Sequence, residues 1–374
     1  GNCAGGAEQL DPAEGTRKSP STFPDDPAAY QQFVTTLVNR YKERGVKLWA
    51  IENEVDANNF WSGTPQEYVD LVALASSAIK AADPSATILD AGISSTGHGI
   101  ALAGELLDAG QEQEALALYQ AWFARRHGSG TARFPVVNSV EELRTLLQEG
   151  RATRVRAMES ANWQAINSGA VTAYQLHFYE NPDLLHTLLD YVRRHLAVQI
   201  PIQGWEIGTA WPGGDYTEAA HGAEVARLLG TLLTEKVSPI VYLPLAYTPG
   251  GATKVEIFRG LVSPEGADLP SGQIYQRYAE ALRGSTSITE VSVPGGSGVV
   301  ILGGGANLAV IWPASGKTLT IAGSEAVRSA ADPSAGPPNG SVSDPVLIAP
   351  GDTDLNGAIA AITRVTGGPV TPAG

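Results

Sequence analysis

Between about residues 27 and 284 the hydrophobic positions switch repeatedly from a helical to a strand period. Ala28–Arg44 carries Tyr30, Phe33, Val34, Leu37, Val38 and Tyr41 at helical spacing, with Asp25 or Asp26 placed to cap the helix and Gly45 to stop it. Val46–Val55 is a short apolar run of strand length. Pro65–Ala82 is helical again and closes on Asp83-Pro84, and Thr87–Ile93 has the pattern of a buried strand. A longer helical stretch runs from about Ile100 to Asn167, broken near Gly128–Pro135. Strand Ala170–Tyr179, helix Asp183–Val198, strand Ile200–Ile207, helix Thr217–Lys236, strand Pro239–Tyr247 and helix Gly272–Arg283 follow. After about Ser285 come short apolar segments (Ile288–Val293, Val299–Leu302, Leu308–Trp312, Thr318–Ile321, Val346–Ile348) between Gly, Pro, Ser and Asn clusters, the signature of a small antiparallel β domain. Residues 351–374 read as a short apolar stretch and a Gly/Pro tail.

Near-continuous apolar strands, each followed by a helix, predict parallel βα units. Two architectures satisfy that pattern, a doubly wound sheet and a (β/α)8 barrel. Polar and aromatic residues gather at the C-terminal ends of the predicted strands: Asn53 and Glu54, His177 and Tyr179, Glu206, and Tyr247. A barrel collects its functional groups at that end from different strands, so the barrel is the expected fold. The expected division is a partial barrel over 1–284, a small β-sandwich over 285–350 and a tail over 351–374.

Composition narrows the function. The 374 residues allow two or three domains at roughly 150 residues each. Lys and Arg number 25 against 39 Asp and Glu, a net charge of −14 that argues against a nucleic-acid partner. Apolar residues make up 43% and charged residues 17%, which argues against wholesale disorder. No run of about 18 apolar residues reads as a membrane span, so no membrane partner is expected. Cys3, the single cysteine, cannot form an internal disulfide, which leaves the compartment open.

Glu54 and Glu206 carry the sharpest chemical signal. An ionisable side chain closing an apolar strand is costly unless it is solvated or paired. Two such carboxyls facing one cleft form the pair that glycoside hydrolysis uses: one protonates the leaving oxygen, the other attacks the anomeric carbon or activates water. Each Glu taken alone can equally be a surface ion pair. Trp61 and Trp211 follow the two strands in loops and could stack on sugar rings, whereas Trp49 lies inside a strand and reads as core. His98, His127, His186, His195 and His221 show no metal-ligand spacing, so no metal or other cofactor is expected. Gly295–Gly305 lacks the following helix of a nucleotide loop, no G-x-S-x-G is present, and Asn339-Gly340-Ser341 fits a weak glycosylation pattern.

Asn53-Glu54, His177-x-Tyr179 and Glu206-x-Gly208 together resemble the (β/α)8-barrel retaining β-glycosidases of clan A, the 4/7 superfamily, in its family 39-like or family 5-like members. The resemblance spans about Pro24 to Gly284. Gly260–Gly266, leading into Gln273–Leu282, is similar to the approach to the last barrel helix. The β region, with its Asp344-Pro345-Val346-Leu347-Ile348 ending, is similar to the sandwich that follows such barrels. The resemblance implies Glu54 as general acid/base, Asn53 as the partner of the sugar 2-hydroxyl, and Glu206 as nucleophile. It also implies Tyr179 as a donor holding Glu206 ionised, and His177 as lining the same subsite. An oligo- or polysaccharide would be the substrate, and secretion to an extracellular or periplasmic location would suit it; the oligomeric state is open.

The departures from the family pattern are specific. Val55 replaces the usual Pro after the acid/base Glu, and Glu52 stands where an aromatic is common; this third carboxylate can perturb Glu54 or point away from it. Trp205 replaces the commoner Thr or Ser, and no Trp closes the strand-8 segment, which leaves Tyr247 as the substitute platform. Counted against the family, Val46–Val55 is strand 4, and the Arg and His of strands 2 and 3 have no counterpart here. The sequence also starts without Met. The expectation is therefore an N-terminally truncated barrel with two exposed apolar sheet edges, an aggregation hazard that would leave the piece inactive or unstable. The rival reading is a catalytically inactive barrel relative that only binds carbohydrate.

Overall fold

The computed structural model describes residues 20–126, 134–211, 215–246, 258–324, 326–351 and 353–373. The chain forms two compact units. The first holds the described residues up to 126, Phe134–Phe178 and His186–Ile207; the second holds Tyr179–Leu185 and the described residues from Gly208 onward.

The first unit alternates helices and strands: α1 (Pro27–Lys42), β1 (Leu48–Ala50), α2 (Pro65–Ala82), β2 (Thr87–Leu89), α3 (Ser95–Asp108), α4 (Glu112–Phe123), α5 (Val140–Gln148), α6 (Gly150–Ala165), β3 (Tyr174–Phe178), α7 (Leu185–His195) and β4 (Ile202–Ile207). Asp26 caps α1, and Thr64 with Glu67 forms a capping box on α2, so the boundaries read from the sequence have a physical cause. β1 pairs parallel with β2, Leu89 bridges in parallel to Ala173 just before β3, and β3 pairs parallel with β4. Four strands thus run side by side in chain order, the arrangement that βα units produce.

Two expected elements differ here. Val46–Val55 was expected as one strand, but only Leu48–Ala50 is strand, because Glu52 and Glu54 adopt φ of 68° and 41° and leave the extended region. The helical stretch from Ile100 to Asn167 is four helices, and α6 runs into a π-turn at Ile166–Ala170. Val46 and Leu48 are exposed along the first strand, and among the described residues of this unit β1 pairs only with β2.

The helix core of this unit contains a polar inclusion. His98 and Glu159 are both buried, with Nδ1 of His98 3.3 Å from Oε1 of Glu159, and the Tyr174 hydroxyl lies 3.4 Å from the other ring nitrogen. Burial pushes His98 down to about 4 and the Glu159 carboxyl well above the usual carboxylate range, so the pair favours its neutral forms over an ion pair.

The second unit holds β5 (Thr209–Ala210), α8 (Glu218–Thr234), β6 (Ile240–Tyr242), β7 (Phe258–Arg259) and α9 (Pro270–Leu282), followed by β8 (Ser287–Val293), β9 (Gly296–Leu302), β10 (Leu308–Pro313), β11 (Leu319–Ile321), β12 (Val327–Ser329), β13 (Gly340–Val342), β14 (Val346–Ile348), α10 (Leu355–Thr366) and β15 (Thr371–Pro372). A six-stranded sheet runs in the order β12-β14-β10-β9-β8-β15, and β11 pairs antiparallel with β13. Residues 351–374, expected as a tail, instead carry α10 and β15. Asp354 caps α10, and Ala358, Ile362 and Val365 recur at helical spacing inside the same apolar cluster as Val291, Val300, Ile311 and Val346. No helix among the described residues is long and apolar enough to cross a membrane.

Candidate active site

The C-terminal ends of the four parallel strands of the first unit converge on one group of side chains. Beyond β1 the chain turns rather than extending, and the Glu54 amide donates to the Ala91 carbonyl at 2.9 Å, which fixes the residue beside the end of β2. The left-handed φ of Glu54 is rare for a residue with a Cβ and costs on the order of 1–2 kcal/mol. From β3, the fully buried His177 projects Nδ1 to 3.1 Å from Oε1 of Glu54 and 3.7 Å from Oε2 of Glu206. Glu54 and Glu206 keep partial exposure, 17% and 26% of their side chains, so the pair faces solvent over a buried ring.

A bulge sets the direction of Glu206. Along β3 and β4, Leu176 pairs with Gly204 but His177 pairs with Glu206, so Trp205 is an extra residue. That insertion places Glu206 directly opposite His177, where paired residues share one face of the sheet. Trp205 folds back, its indole N–H donating to Oε1 of Gln203 at 2.9 Å.

Beneath the ring lies a second polar layer. Asp90, fully buried after β2, accepts from the Gln175 amide at 2.6 Å, the Asn162 side chain at 2.8 Å and the Gly92 amide at 3.2 Å. Asn162 in turn accepts from the Tyr68 hydroxyl at 2.8 Å, which itself accepts from the Ala91 amide. Gly92 sits at φ 65°, and a Cβ there would come within 2.6 Å of Nε2 of His177, so only glycine admits the ring. The Gln175 side chain meets Nε2 of His177 at 3.0 Å through its amide group, whose oxygen is otherwise buried without a partner.

The electrostatics follow from this packing. Burial disfavours a charged His177, but the hydrogen bond to Glu54 and the charges of Glu206 and Asp90 outweigh it, and its pKa rises above the usual 6.5. Burial also raises Glu52, which is hydrogen-bonded to Ser21 and lies close enough to Tyr30 to raise that phenol. The charge of this third carboxylate also raises Tyr68.

The remaining expected site residues divide. Asn53 is half-buried beside Glu54. Trp61, expected as a sugar platform, is fully buried, edge-on to Tyr68 with its N–H toward the Thr64 carbonyl at 3.4 Å; it is a core residue with no face for a ligand. In the second unit, Trp211 is buried, donates to Asp215 at 2.7 Å and packs edge-on to Tyr216, which leaves little ring for stacking. Tyr179 packs on Phe258 in the same unit, and a Cβ at Gly208 would strike the Leu243 carbonyl and the Tyr179 ring, which explains the glycine of the Glu-x-Gly motif. Tyr247 lies outside the described residues. Asp90, Gln175 and Asn162 escaped the sequence reading, although Asp90 closes an apolar strand just as Glu54 and Glu206 do.

Glu54, His177 and Glu206 can each offer one ligand atom within 4.8 Å of the others, a geometry a metal ion could use. Their sequence separation hides this from spacing rules. The nitrogen such an ion would need is the one whose proton the two carboxylates favour.

No family model and no curated protein matches this sequence. Solved structures do. The chain is similar to a family 39 glycoside hydrolase from the gut symbiont Bacteroides cellulosilyticus WH2, at 16% identity and a TM-score of 0.51, over 87% of this chain and 63% of that one. It is also similar to a glucosidase from Croceicoccus marinus, at 14% identity and TM-score 0.49 over 81% and 55% of the two chains. A monomeric beta-xylosidase from Caulobacter crescentus CB15 matches at 15% identity and TM-score 0.43 over 81% and 57%. The chain thus spans less than two thirds of the length of these proteins. It shares the α/β fold of the family 39 glycoside hydrolase.

Proposed function

We propose that the protein is a glycoside hydrolase acting on β-linked sugars with retention of configuration, on a clan A barrel over residues 1–284 followed by a β domain. The observation that carries this reading is the approach of Glu54 and Glu206, whose carboxylate oxygens come within 4.8 Å of each other across Nδ1 of His177. Retaining enzymes hold their two carboxyls about 5–5.5 Å apart, close enough for one to attack the anomeric carbon directly, whereas inverting enzymes leave room for water.

In this reading a Glu206 oxygen forms the bond to the anomeric carbon as the glycosidic bond breaks, and the leaving oxygen takes its proton from Glu54. Water then attacks the same carbon, gives its proton to Glu54 and releases the Glu206 carboxylate. His177 lies between the pair and limits their mutual repulsion. Asn53 stands beside Glu54 for the sugar 2-hydroxyl. An oligo- or polysaccharide substrate fits an extracellular or periplasmic setting.

The test is incubation with a panel of 2-deoxy-2-fluoro glycosyl fluorides, followed by intact-mass measurement and peptide mapping. A one-to-one adduct on Glu206, lost in Glu206→Ala, is the expected result. A folded sample that labels with none of the panel would overturn the retaining reading in favour of a protein that only binds carbohydrate.

A further inference from the structure

Trp205 is the residue that β4 adds to its pairing with β3. Along the two strands Gln175 pairs with Gln203 and His177 with Glu206, so these four side chains share one face of the sheet. Residues two apart on a strand also share a face, which puts Trp205 with Gln203. The hydrogen bond from the Trp205 indole N–H to Oε1 of Gln203, at 2.9 Å, shows that the two side chains meet. A regular strand would send Trp205 and Glu206 to opposite faces. The bulge brings both to the face that carries His177.

The indole is open to a ligand there. Trp61, Trp122 and Trp163 are buried, and each packs on another aromatic ring. Trp205 is only half-buried, and among the described residues no second ring and no cation lies against it. Its one polar group is held by Gln203, so what remains for a ligand is a flat apolar surface beside the Glu206 carboxylate. The face of an aromatic ring is electron-rich and suits polarised C–H bonds that point into it.

We infer that Trp205 is a substrate-binding residue, the platform on which the pyranose ring bound at Glu206 lies. The assignment rests on the proposed glycosidase reading for the kind of ligand, and it narrows that ligand. A sugar whose anomeric carbon meets Glu206 extends over the adjoining positions of the same face, where Trp205 supplies the flat side chain. β-Glycosides of the gluco and xylo configurations carry H1, H3 and H5 axially on one side, a C–H face free of hydroxyls. An α-glycoside puts its O-alkyl group in place of the axial H1, which holds the sugar off the indole. The site therefore takes β-linked gluco- or xylo-configured pyranosides with that C–H face turned to Trp205.

The experiment is a titration of the full chain, labelled with 5-fluorotryptophan, with methyl β-D-glucopyranoside and methyl β-D-xylopyranoside, followed by fluorine NMR. Its 7 tryptophans give separate signals, and the one lost in Trp205→Phe is assigned to Trp205. That signal should move with both β-glycosides and move less with methyl α-D-glucopyranoside at the same concentration. Saturation transferred from the protein to the β-glycosides should be strongest at H1, H3 and H5. Trp205→Phe keeps a ring and should bind within about threefold of wild type, whereas Trp205→Leu should bind about tenfold more weakly. If Trp205→Leu fails to fold, the wild-type fluorine and saturation measurements decide alone. β-Glycosides that bind without moving the Trp205 signal, or a folded Trp205→Leu that binds as wild type, would overturn the inference. So would a folded protein that binds neither β-glycoside. A Glu206 adduct with a silent Trp205 would remove the platform and leave the hydrolase standing. Binding on Trp205 with no hydrolysis would leave the platform standing and count against the hydrolase.

Discussion

Replacing Glu159 with Gln tests whether the core of the first unit stores a proton rather than an ion pair. His98 and Glu159 face each other at 3.3 Å with almost no solvent exposure, and burial drives both to their neutral forms. In the folded pair burial keeps the proton on Glu159 beyond the usual carboxylate range. Above pH 6.5 the unfolded chain holds none, because its free histidine has deprotonated. A carboxyl raised in the folded state contributes stability that is complete below about pH 4.5 and is lost as pH rises. Each pH unit at which the folded state keeps one extra proton costs about 1.4 kcal/mol. Glu159→Gln keeps the size and one polar contact but removes that proton. The variant should therefore gain on the wild type by about 1.4 kcal/mol for each pH unit above about pH 4.5, until Glu159 ionises in the folded protein. Urea unfolding followed by tryptophan fluorescence at several pH values measures the difference. A difference that stays flat above about pH 4.5 would mean Glu159 is ionised in the folded protein, and the reasoning would fail.

Two further substitutions probe the frame around the site and the C-terminal helix. Gly92→Ala should lower stability by roughly 1–3 kcal/mol and displace His177, because its Cβ would need both a left-handed φ and space the ring occupies; unchanged His177 nitrogen signals would refute it. Ile362→Ala should cost about 2–5 kcal/mol in urea unfolding, since Ile362 is fully buried in the β cluster, and a loss below about 1 kcal/mol would show that α10 is peripheral.

What could be read from the chain was the order of βα units and the acidic strand ends. An ionisable residue closing an apolar run is a strong signal, and it led to Glu54 and Glu206, which the fold brings to His177. Asp90 gives the same signal, but its donors, Gln175 and Asn162, lie 85 and 72 residues away, so nothing local marks it as caged. Trp61 shows the opposite limit: an aromatic just past a strand reads equally as a ligand platform or as core, and only tertiary packing makes it core. The length of β1 was overread because apolar pattern carries no sign of φ, and Glu52 and Glu54 turn the chain where composition would extend it. Helix α10 was missed because its Ala and Gly content dilutes an apolar stripe that the β sheet completes.

The contact between His177 and Glu54 joins residues 123 positions apart. Closing a loop of that length is entropically expensive early in folding, and the intervening β2 must be paired before the ring and the carboxylate can meet. The three-residue cluster therefore exists only when β1 to β4 are all paired side by side. A compound that engages all three groups binds only the fully assembled unit, so at a hundred times its dissociation constant it would stabilise the whole transition by about 2.7 kcal/mol. Ligand screening by thermal shift would then detect occupancy of this small cluster as a change in the cooperative melting of the first unit.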